Sequence, residues 1–289
     1  MRRNLAASPK RESDSAAAAA RAKPSDLPAR IAAGLAMMAL ALGAVWAGPS
    51  WFMLFWLIAA ALVNFEWQSL IGRDRRGFRV AIGAAALAAA ALLSLNGRAA
   101  SAILPLALGG GLAAAAAGRL SLWPFGGVLY AGAMLVALCI LRTSDPDGAR
   151  VILWLFALVW GTDIMAYFGG RLIGGPKLWP RISPGKTWSG FFVGIVCGAA
   201  FGSLLAPTRG DAPALLAVGV VGGAIAQGGD LFESAIKRRF GVKDSSHLIP
   251  GHGGLMDRLD GFIAAAIFAA ALGLLRGGMT GAAQGVLQW

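Results

Sequence analysis

The 289-residue chain contains little charge, because only 14% of its residues are Asp, Glu, Lys or Arg and 57% are hydrophobic. An ordinary soluble domain carries about 25% charged residues. This shortage excludes a typical soluble protein. The 41 glycines and the long alanine runs fit transmembrane helices that pack closely. The predicted fold class is therefore all-α, a polytopic helix bundle in a lipid bilayer.

Cysteine and histidine are scarcer still, with two residues of each. Cys139 and Cys197 fall inside apolar runs, which predicts small buried side chains rather than a disulfide or a metal pair. They therefore identify no redox compartment. His247 and His252 lie in one loop without Cys or Glu partners at zinc spacing, so a zinc site is not predicted. His252, which lies between glycines, is instead a predicted phosphate contact.

Acidic residues are few as well, 14 against 26 basic ones, and the net charge is +12. The bases cluster in short loops, which indicates membrane orientation and phosphate-bearing ligands rather than nucleic acid. With the N-terminus placed in the cytoplasm, 21 bases fall on the cytoplasmic side and five on the other. This bias puts loop 170–187 and segment 233–260 on the same, cytoplasmic face of the cell (inner) membrane.

Apolar runs long enough to cross a bilayer, for which about 20 residues are needed, begin at residue 31. Residues 1–29 are polar and charged, which predicts a disordered cytoplasmic tail rather than a signal peptide. Residues 30–150 are predicted to form N-terminal transmembrane helices, and 151–289 a C-terminal catalytic region. Nine spans are predicted, or eight if the moderately hydrophobic 80–117 region counts once: 31–47, 51–70, 80–96, 99–117, 126–141, 151–169, 188–206, 212–232 and 261–277.

Polar side chains gather at the end of the eighth span. If the helix continues through Arg238, then Asp230, Ser234, Lys237 and Arg238 share one face. An acid, a hydroxyl and two cations would then form one polar stripe. The alternative is a helix end that snorkels to the interface, with Glu233 and Lys237 as a surface ion pair.

A glycine-rich turn, Pro-Gly-His252-Gly253-Gly254, follows Lys243 and Asp244. Its backbone amides could cradle phosphate oxygens, although an ordinary flexible turn would look the same. Asp257 and Asp260 come next, three residues apart at the start of the last span.

These two carboxylates would face the same way on a helix and could simply cap it. Together with Asp230 from the preceding antiparallel helix, they could instead hold a hard divalent cation such as Mg²⁺. The neighbouring bases, Arg258 among them, would then clamp phosphate oxygens.

A second cytoplasmic segment contains Ser183, Lys186 and Thr187. It is not a P-loop, because the required first glycine would fall at Pro180 and no strand is predicted before it. It could still bind phosphate through its hydroxyls, its lysine and the start of the helix from Trp188, or be a simple basic loop.

Acidic and hydroxyl side chains also occur at membrane depth. Asp163 and Tyr167 lie four residues apart near the cytoplasmic end of the sixth span, where an acid is usually functional or paired. Asn64 and Glu66 near the inner end of the second span are weaker examples of the same pattern.

Taken together, these motifs resemble the phosphatidate cytidylyltransferase (CDP-diacylglycerol synthase) family over about residues 150–265. Segment 234–260 matches the family signature without a gap. The segments around Asp163, Lys186 and Gln227, which precede it, also resemble the family and occur in the family's order. Ser189 is a departure, because many members carry Glu there. The matching signature positions are Ser234, Lys237, Arg238, Lys243, Asp244, Pro250 to Gly254, Asp257, Arg258 and Asp260.

The resemblance implies an enzyme that transfers CMP from CTP to phosphatidic acid at the cytoplasmic membrane face, with Mg²⁺. Whether a second, monovalent cation joins the Mg²⁺ stays open. It implies metal binding by Asp230, Asp257 and Asp260, and a catalytic set of Asp230, Lys237, Arg238, Asp257 and Arg258. A homodimer is plausible from the family and from the Gly- and Ala-rich helix faces. The implied substrate-binding set is Asp163, Tyr167, Ser183, Lys186, Thr187, Ser234, Lys243, Asp244, His252, Gly253 and Gly254.

Two other functions stay open at this point. A CTP-dependent lipid kinase would share the membrane bundle and the nucleotide but would transfer the γ-phosphoryl group and release CDP. A transporter or channel predicts ionisable residues across the bilayer midplane or inverted repeats, whereas the polar residues here gather at one face.

Overall fold

The computed structural model describes residues 27–118, 122–246, 248 and 253–289. Within these residues the chain forms ten α-helices, one short 3₁₀ helix and a two-stranded antiparallel hairpin. The elements are α1 (Leu27–Trp46), α2 (Pro49–Ile71), α3 (Arg76–Leu95), the 3₁₀ helix (Ala99–Ala102), α4 (Ile103–Ala116), α5 (Trp123–Arg142), α6 (Gly148–Ile173), β1 (Lys177–Trp179), β2 (Ser183–Thr187), α7 (Trp188–Ser203), α8 (Ala212–Arg239), α9 (Met256–Gly277) and α10 (Ala282–Leu287).

Seven helical segments of the described part are long and apolar enough to cross a membrane. Two shorter apolar helices, 32–46 and 188–203, complete a set that coincides with the nine predicted spans. The prediction of a polytopic helical membrane protein is therefore confirmed. The tail predicted over 1–29 lies almost entirely outside the described residues, since α1 begins at Leu27. Both Cys139 and Cys197 are free thiols; Cys139 is buried, as predicted, whereas Cys197 is only partly buried.

Three elements differ from the sequence prediction. Helix α8 continues seven residues beyond the predicted end at 232, because the polar residues that end the apolar run still extend the helix to Arg239. Loop 170–187 contains the β1–β2 hairpin, in which Lys177 pairs with Thr187 and Trp179 with Ser183. Helix α10 follows the last span and is only six residues long.

Aromatic packing joins the N-terminal and C-terminal parts of the chain. The Trp56 ring of α2 stacks on Phe262 of α9, with ring centroids 5.0 Å apart. Phe156 of α6 stacks on the same phenylalanine at 5.4 Å. The final turns of α2 and α8 meet the first turn of α9, because Glu66 accepts from the Met256 amide and Lys237 donates to Asp257. This end of the bundle is called here the site end.

Candidate active site

A cavity of about 1130 Å³ opens at the site end between α1, α2, α6, β2, α8 and α9. Its walls differ along its length. Toward α1 and α2 the lining is apolar and includes Met38, Leu40, Phe55, Ile58 and Leu62. Eight ionisable side chains line the rest, namely Asp163, Arg171, Lys177, Lys186, Asp230, Asp257, Arg258 and Asp260. One cavity can therefore contact both a hydrocarbon chain and a phosphate group.

Lys186 connects the hairpin to α8. Its Nζ lies 2.6 Å from an Asp230 carboxylate oxygen and donates to Gln227 Oε1 at 2.9 Å. The next residue, Thr187, is the N-cap of α7, because its hydroxyl accepts from the Gly190 amide at 3.1 Å. This capping bond fixes the end of β2, which places the lysine against α8.

Lys237 lies between two carboxylates rather than facing the cavity. Its Nζ is 2.6 Å from Glu233 Oε2 and donates to Asp257 Oδ1 at 2.7 Å. The Glu233 side chain is fully buried, and those of Lys237 and Asp257 are only 12% and 8% exposed. The alternative of a surface Glu233–Lys237 pair is wrong in one respect, since the pair forms but α9 covers it.

Asp257 is held on several sides at the start of α9. Besides Lys237, its carboxylate accepts from the backbone amides of Ser245 at 3.0 Å and Gly254 at 2.8 Å. Charge-assisted hydrogen bonds of this kind fix a carboxylate firmly. Asp257 thus secures the stretch before α9 and also lines the cavity.

Three other carboxylates, those of Asp163, Asp230 and Asp260, interact electrostatically within the cavity. Their mutual repulsion is offset by Lys186 and, for Asp163, by Arg258. No group of three or more Asp, Glu, His or Cys side chains among residues 27–118, 122–246, 248 and 253–289 is arranged to hold a metal ion.

The structure therefore does not bring Asp230, Asp257 and Asp260 together as one ligand set. Asp257 is directed toward Lys237 and two backbone amides instead. The donor chemistry still fits Mg²⁺, which is commonly held by one or two carboxylates plus substrate phosphates rather than by a protein cage. Asp230 and Asp260 can supply those carboxylates.

The glycine-rich turn is described only at its end, and His252 lies outside the described residues. Gly253 has φ of +86°, which is the left-handed region that favours glycine. A Cβ on Gly254 would collide with the Ser245 hydroxyl and lie 2.8 Å from Glu66 Oε1. Close approach by these two side chains therefore requires glycine at this position.

The remaining predicted residues divide into two groups. Tyr167 lines the cavity, and its hydroxyl accepts from Arg171 at 3.0 Å. Arg238 instead donates to the backbone oxygens of Val242 at 3.1 Å and Ile182 at 3.4 Å. The predicted residues that are described but do not line the cavity are Ser183, Ser234, Lys237, Arg238, Lys243, Asp244, Gly253 and Gly254.

The predicted polar stripe on α8 is consequently divided. The helix does continue through Arg238, which was the condition for the stripe, and the Ser234 hydroxyl donates to Asp230 at 3.4 Å. Lys237 and Arg238, however, stabilise neighbouring protein segments. Sequence reasoning did not predict two serines, Ser245 and Ser246, whose hydroxyls donate to the buried Glu66.

Comparison with known proteins agrees with this geometry. The model of the cytidylyltransferase family matches residues 28–275. The chain belongs to this family. The match extends into the N-terminal helices, where the sequence offered no specific motif, and it covers every element that lines the cavity.

Relatives support the family assignment over most of the chain. The phosphatidate cytidylyltransferases of Brucella abortus and Brucella suis are each 40% identical over 252 residues, which cover 84% of this chain and 91% of the relative. That of Staphylococcus epidermidis is 48% identical over 128 residues, or 42% of this chain and 47% of the relative.

Ser189, the departure from the resembled pattern, has a local structural role. Its hydroxyl donates to the Gly174 carbonyl and lies 3.0 Å from the Thr187 hydroxyl. The serine thus joins the end of α6 to the start of α7. An acidic function at this position is not available to this chain.

Proposed function

We propose that this chain transfers CMP from CTP to phosphatidic acid, giving CDP-diacylglycerol and pyrophosphate, in phospholipid biosynthesis. The observation that carries the proposal is the single cavity that joins an apolar wall to a cluster of eight ionisable residues. A nucleotide triphosphate and a lipid phosphate need such a meeting point. The names of the relatives agree with it.

The cavity is somewhat larger than a typical pocket for one drug-sized ligand. Pockets for one drug-sized ligand measure about 300–1,000 Å³, and this one measures about 1130 Å³. In the proposed arrangement the lipid phosphate and the CTP phosphates meet near Lys186 and Arg258. The acyl chains run along the wall formed by α1 and α2, which includes Leu40 and Ile58.

The reaction is a displacement at phosphorus. A phosphatidate oxygen forms a bond to the CTP α-phosphorus while the bond to the bridging oxygen of pyrophosphate breaks. Lys186 and Arg258 would stabilise the negative charge on the α-phosphate and the leaving group. A phosphate monoester has a second pKa of about 6, so the nucleophile is already ionised at neutral pH and needs no dedicated general base.

Mg²⁺ is part of the proposal. Asp230 and Asp260 would hold it, and nucleotide phosphates would complete its ligand shell. When bound, the ion would neutralise phosphate oxygens. A second, monovalent cation and a homodimer belong to the same proposal, and the Gly- and Ala-rich helix faces favour the dimer.

The proposed location is the cell inner membrane, with the N-terminus and the site end in the cytoplasm. The charge bias favours this orientation. Arg238 of segment 233–260 donates to Ile182 O of loop 170–187 at 3.4 Å, which supports one shared face for the two segments. CTP would reach the cavity from that side.

The test uses purified protein in vesicles that contain phosphatidic acid. With CTP and Mg²⁺, we expect equal amounts of pyrophosphate and CDP-diacylglycerol, and neither product when any one component is omitted. Release of CDP with a further phosphorylated lipid would overturn the proposal in favour of a lipid kinase. Solute flux without CTP turnover would overturn it in favour of a transporter.

A further inference from the structure

Glu66, near the end of α2, is a fully buried acid that the proposed chemistry does not use. Its Oε1 accepts from the Ser246 hydroxyl at 2.6 Å and the Leu255 amide at 2.9 Å. Its Oε2 accepts from the Ser245 hydroxyl at 3.1 Å and the Met256 amide at 2.7 Å. Each oxygen therefore receives one hydroxyl and one backbone amide.

The four donors come from two positions in the chain. Ser245 and Ser246 follow α8, whereas Leu255 and Met256 form the N-terminus of α9. One carboxylate from the N-terminal half thus joins both sides of the stretch that connects these helices. The amides at a helix start are otherwise unpaired, and a negative charge there interacts favourably with the helix dipole.

Two carboxylates, those of Asp257 and Glu66, bind the stretch between α8 and α9. Asp257 accepts from the Ser245 and Gly254 amides, and Glu66 accepts from the Ser246 hydroxyl and the Leu255 amide beside them. Gly254 has no side chain, which leaves room for both Glu66 and the Ser245 hydroxyl. The first turn of α9, which carries Asp257 and Arg258 into the cavity, is held directly by α2.

We propose that Glu66 is a positioning residue for the reaction, which fixes the first turn of α9 and thereby places Asp257 and Arg258 against the substrates. This inference rests on the proposed function. Glu66 does not line the cavity. It acts through α9, and misplacing a reacting group by about 1 Å can cost a hundredfold in rate.

The decisive variant is Glu66→Gln, which keeps the size of the side chain but puts an NH₂ group opposite a backbone amide that can only donate. We expect kcat/KM for CTP to fall about a hundredfold. We expect Glu66→Asp, which keeps both acceptor oxygens, to recover at least tenfold of that loss. Amide hydrogen exchange of residues 253–258 should be faster in Glu66→Gln than in the unsubstituted protein.

Gln68→Met is the matched control, because Gln68 is equally buried on the same helix but donates to Pro124 O at 2.9 Å and not to α9. It should lower the thermal midpoint, because the hydrogen bonds to Asn64 and Pro124 are lost, yet keep kcat/KM within about twofold, because neither bond reaches α9. If Glu66→Gln behaves like Gln68→Met, with a lower midpoint and unchanged kcat/KM, the inference is overturned.

The double variant Ser245→Ala, Ser246→Ala covers the case in which Glu66→Gln does not fold. It removes two of the four hydrogen-bond donors to Glu66. We expect kcat/KM to fall about tenfold, which is the effect of losing roughly 1.4 kcal/mol of hydrogen bonding. Wild-type kcat/KM in this variant overturns the inference. Lack of turnover in the unsubstituted protein would instead reject the proposed function, so the two failures are distinguishable.

Discussion

The two ends of the bundle use charge differently. At the site end, Asp163, Asp230 and Asp260 interact with one another and with Lys186 across a cavity. At the opposite end, called the far end, Asp147, Asp211 and Arg276 are bound by the C-terminal segment 280–289. The first group faces a space that a ligand can enter, whereas the second is paired with Gln288, Trp289 and Gly285.

The far end shows how complete such pairing is. Asp211 accepts from the Trp289 amide at 2.7 Å, and from the amide and hydroxyl of Thr208. Arg276 donates to Gly285 O at 2.6 Å, and its guanidinium lies 3.4 Å from the centre of the Trp289 ring. These contacts stabilise the fold. Among the described residues, the charged side chains that line the cavity are therefore the ones that the proposed function brings into contact with substrate.

Lys186→Met should have the largest effect, because it removes the cation that joins the hairpin to Asp230 at the phosphate site. Losing one such stabilising group typically lowers turnover about a hundred- to thousandfold. The measurement is pyrophosphate release by the variant in vesicles. Arg181→Met, an exposed position on the same hairpin, is the control. Equal turnover in the two variants would contradict a role for Lys186 in the reaction.

Lys237→Met should affect stability most, because it leaves Glu233 and Asp257 buried without their shared cation. Breaking a buried ion pair by removing one partner costs about 3–5 kcal/mol. The measurement is the free energy of unfolding in detergent. The control is Arg239→Met, an exposed position at the end of the same helix, which should change this free energy by less than about 0.5 kcal/mol. An unchanged unfolding curve for Lys237→Met would show that the contacts of Lys237 with Glu233 and Asp257 do not stabilise the fold.

Asp211→Asn should have a smaller, pH-dependent effect at the far end. The Thr208 hydroxyl, followed by the Trp289 amide, holds the pKa of Asp211 below its usual value. A depressed carboxyl pKa adds stability above the unfolded value of about 3.9, and this stability is lost as the pH falls through the folded pKa. The variant should therefore melt below the unsubstituted protein at pH 5–7, and the difference should shrink as the pH falls below about 4. A difference that grows in acid would contradict the assignment.

Much of the fold could be predicted from the sequence, because hydrophobic runs and loop charges respond directly to the membrane. The end of α8 could not, since the polar residues up to Arg239 extend the helix without extending the apolar run. The hairpin was missed because strands of three and five residues that include Pro184 and Gly185 look like a loop.

The candidate site was predictable as a set of residues but not as a set of partners. Helical spacing correctly put Asp230 and Lys237 on one helix end, yet it could not show that Lys237 faces Glu233 and Asp257. Glu66 contacts residues 179 to 190 positions away, and no local pattern records such a distance. The one available signal was its burial-prone position in an apolar span.

The most direct test compares two aspartates that belong to the same helix, Asp230 at the site end and Asp211 as the N-cap at the far end. Turnover and thermal midpoint are measured for Asp230→Asn and Asp211→Asn side by side. We expect Asp230→Asn to lose at least about a hundredfold in turnover with little change in midpoint, and Asp211→Asn to melt earlier with turnover within about twofold. Normal turnover in Asp230→Asn, or equal loss in both variants, would contradict the division of roles between the two ends.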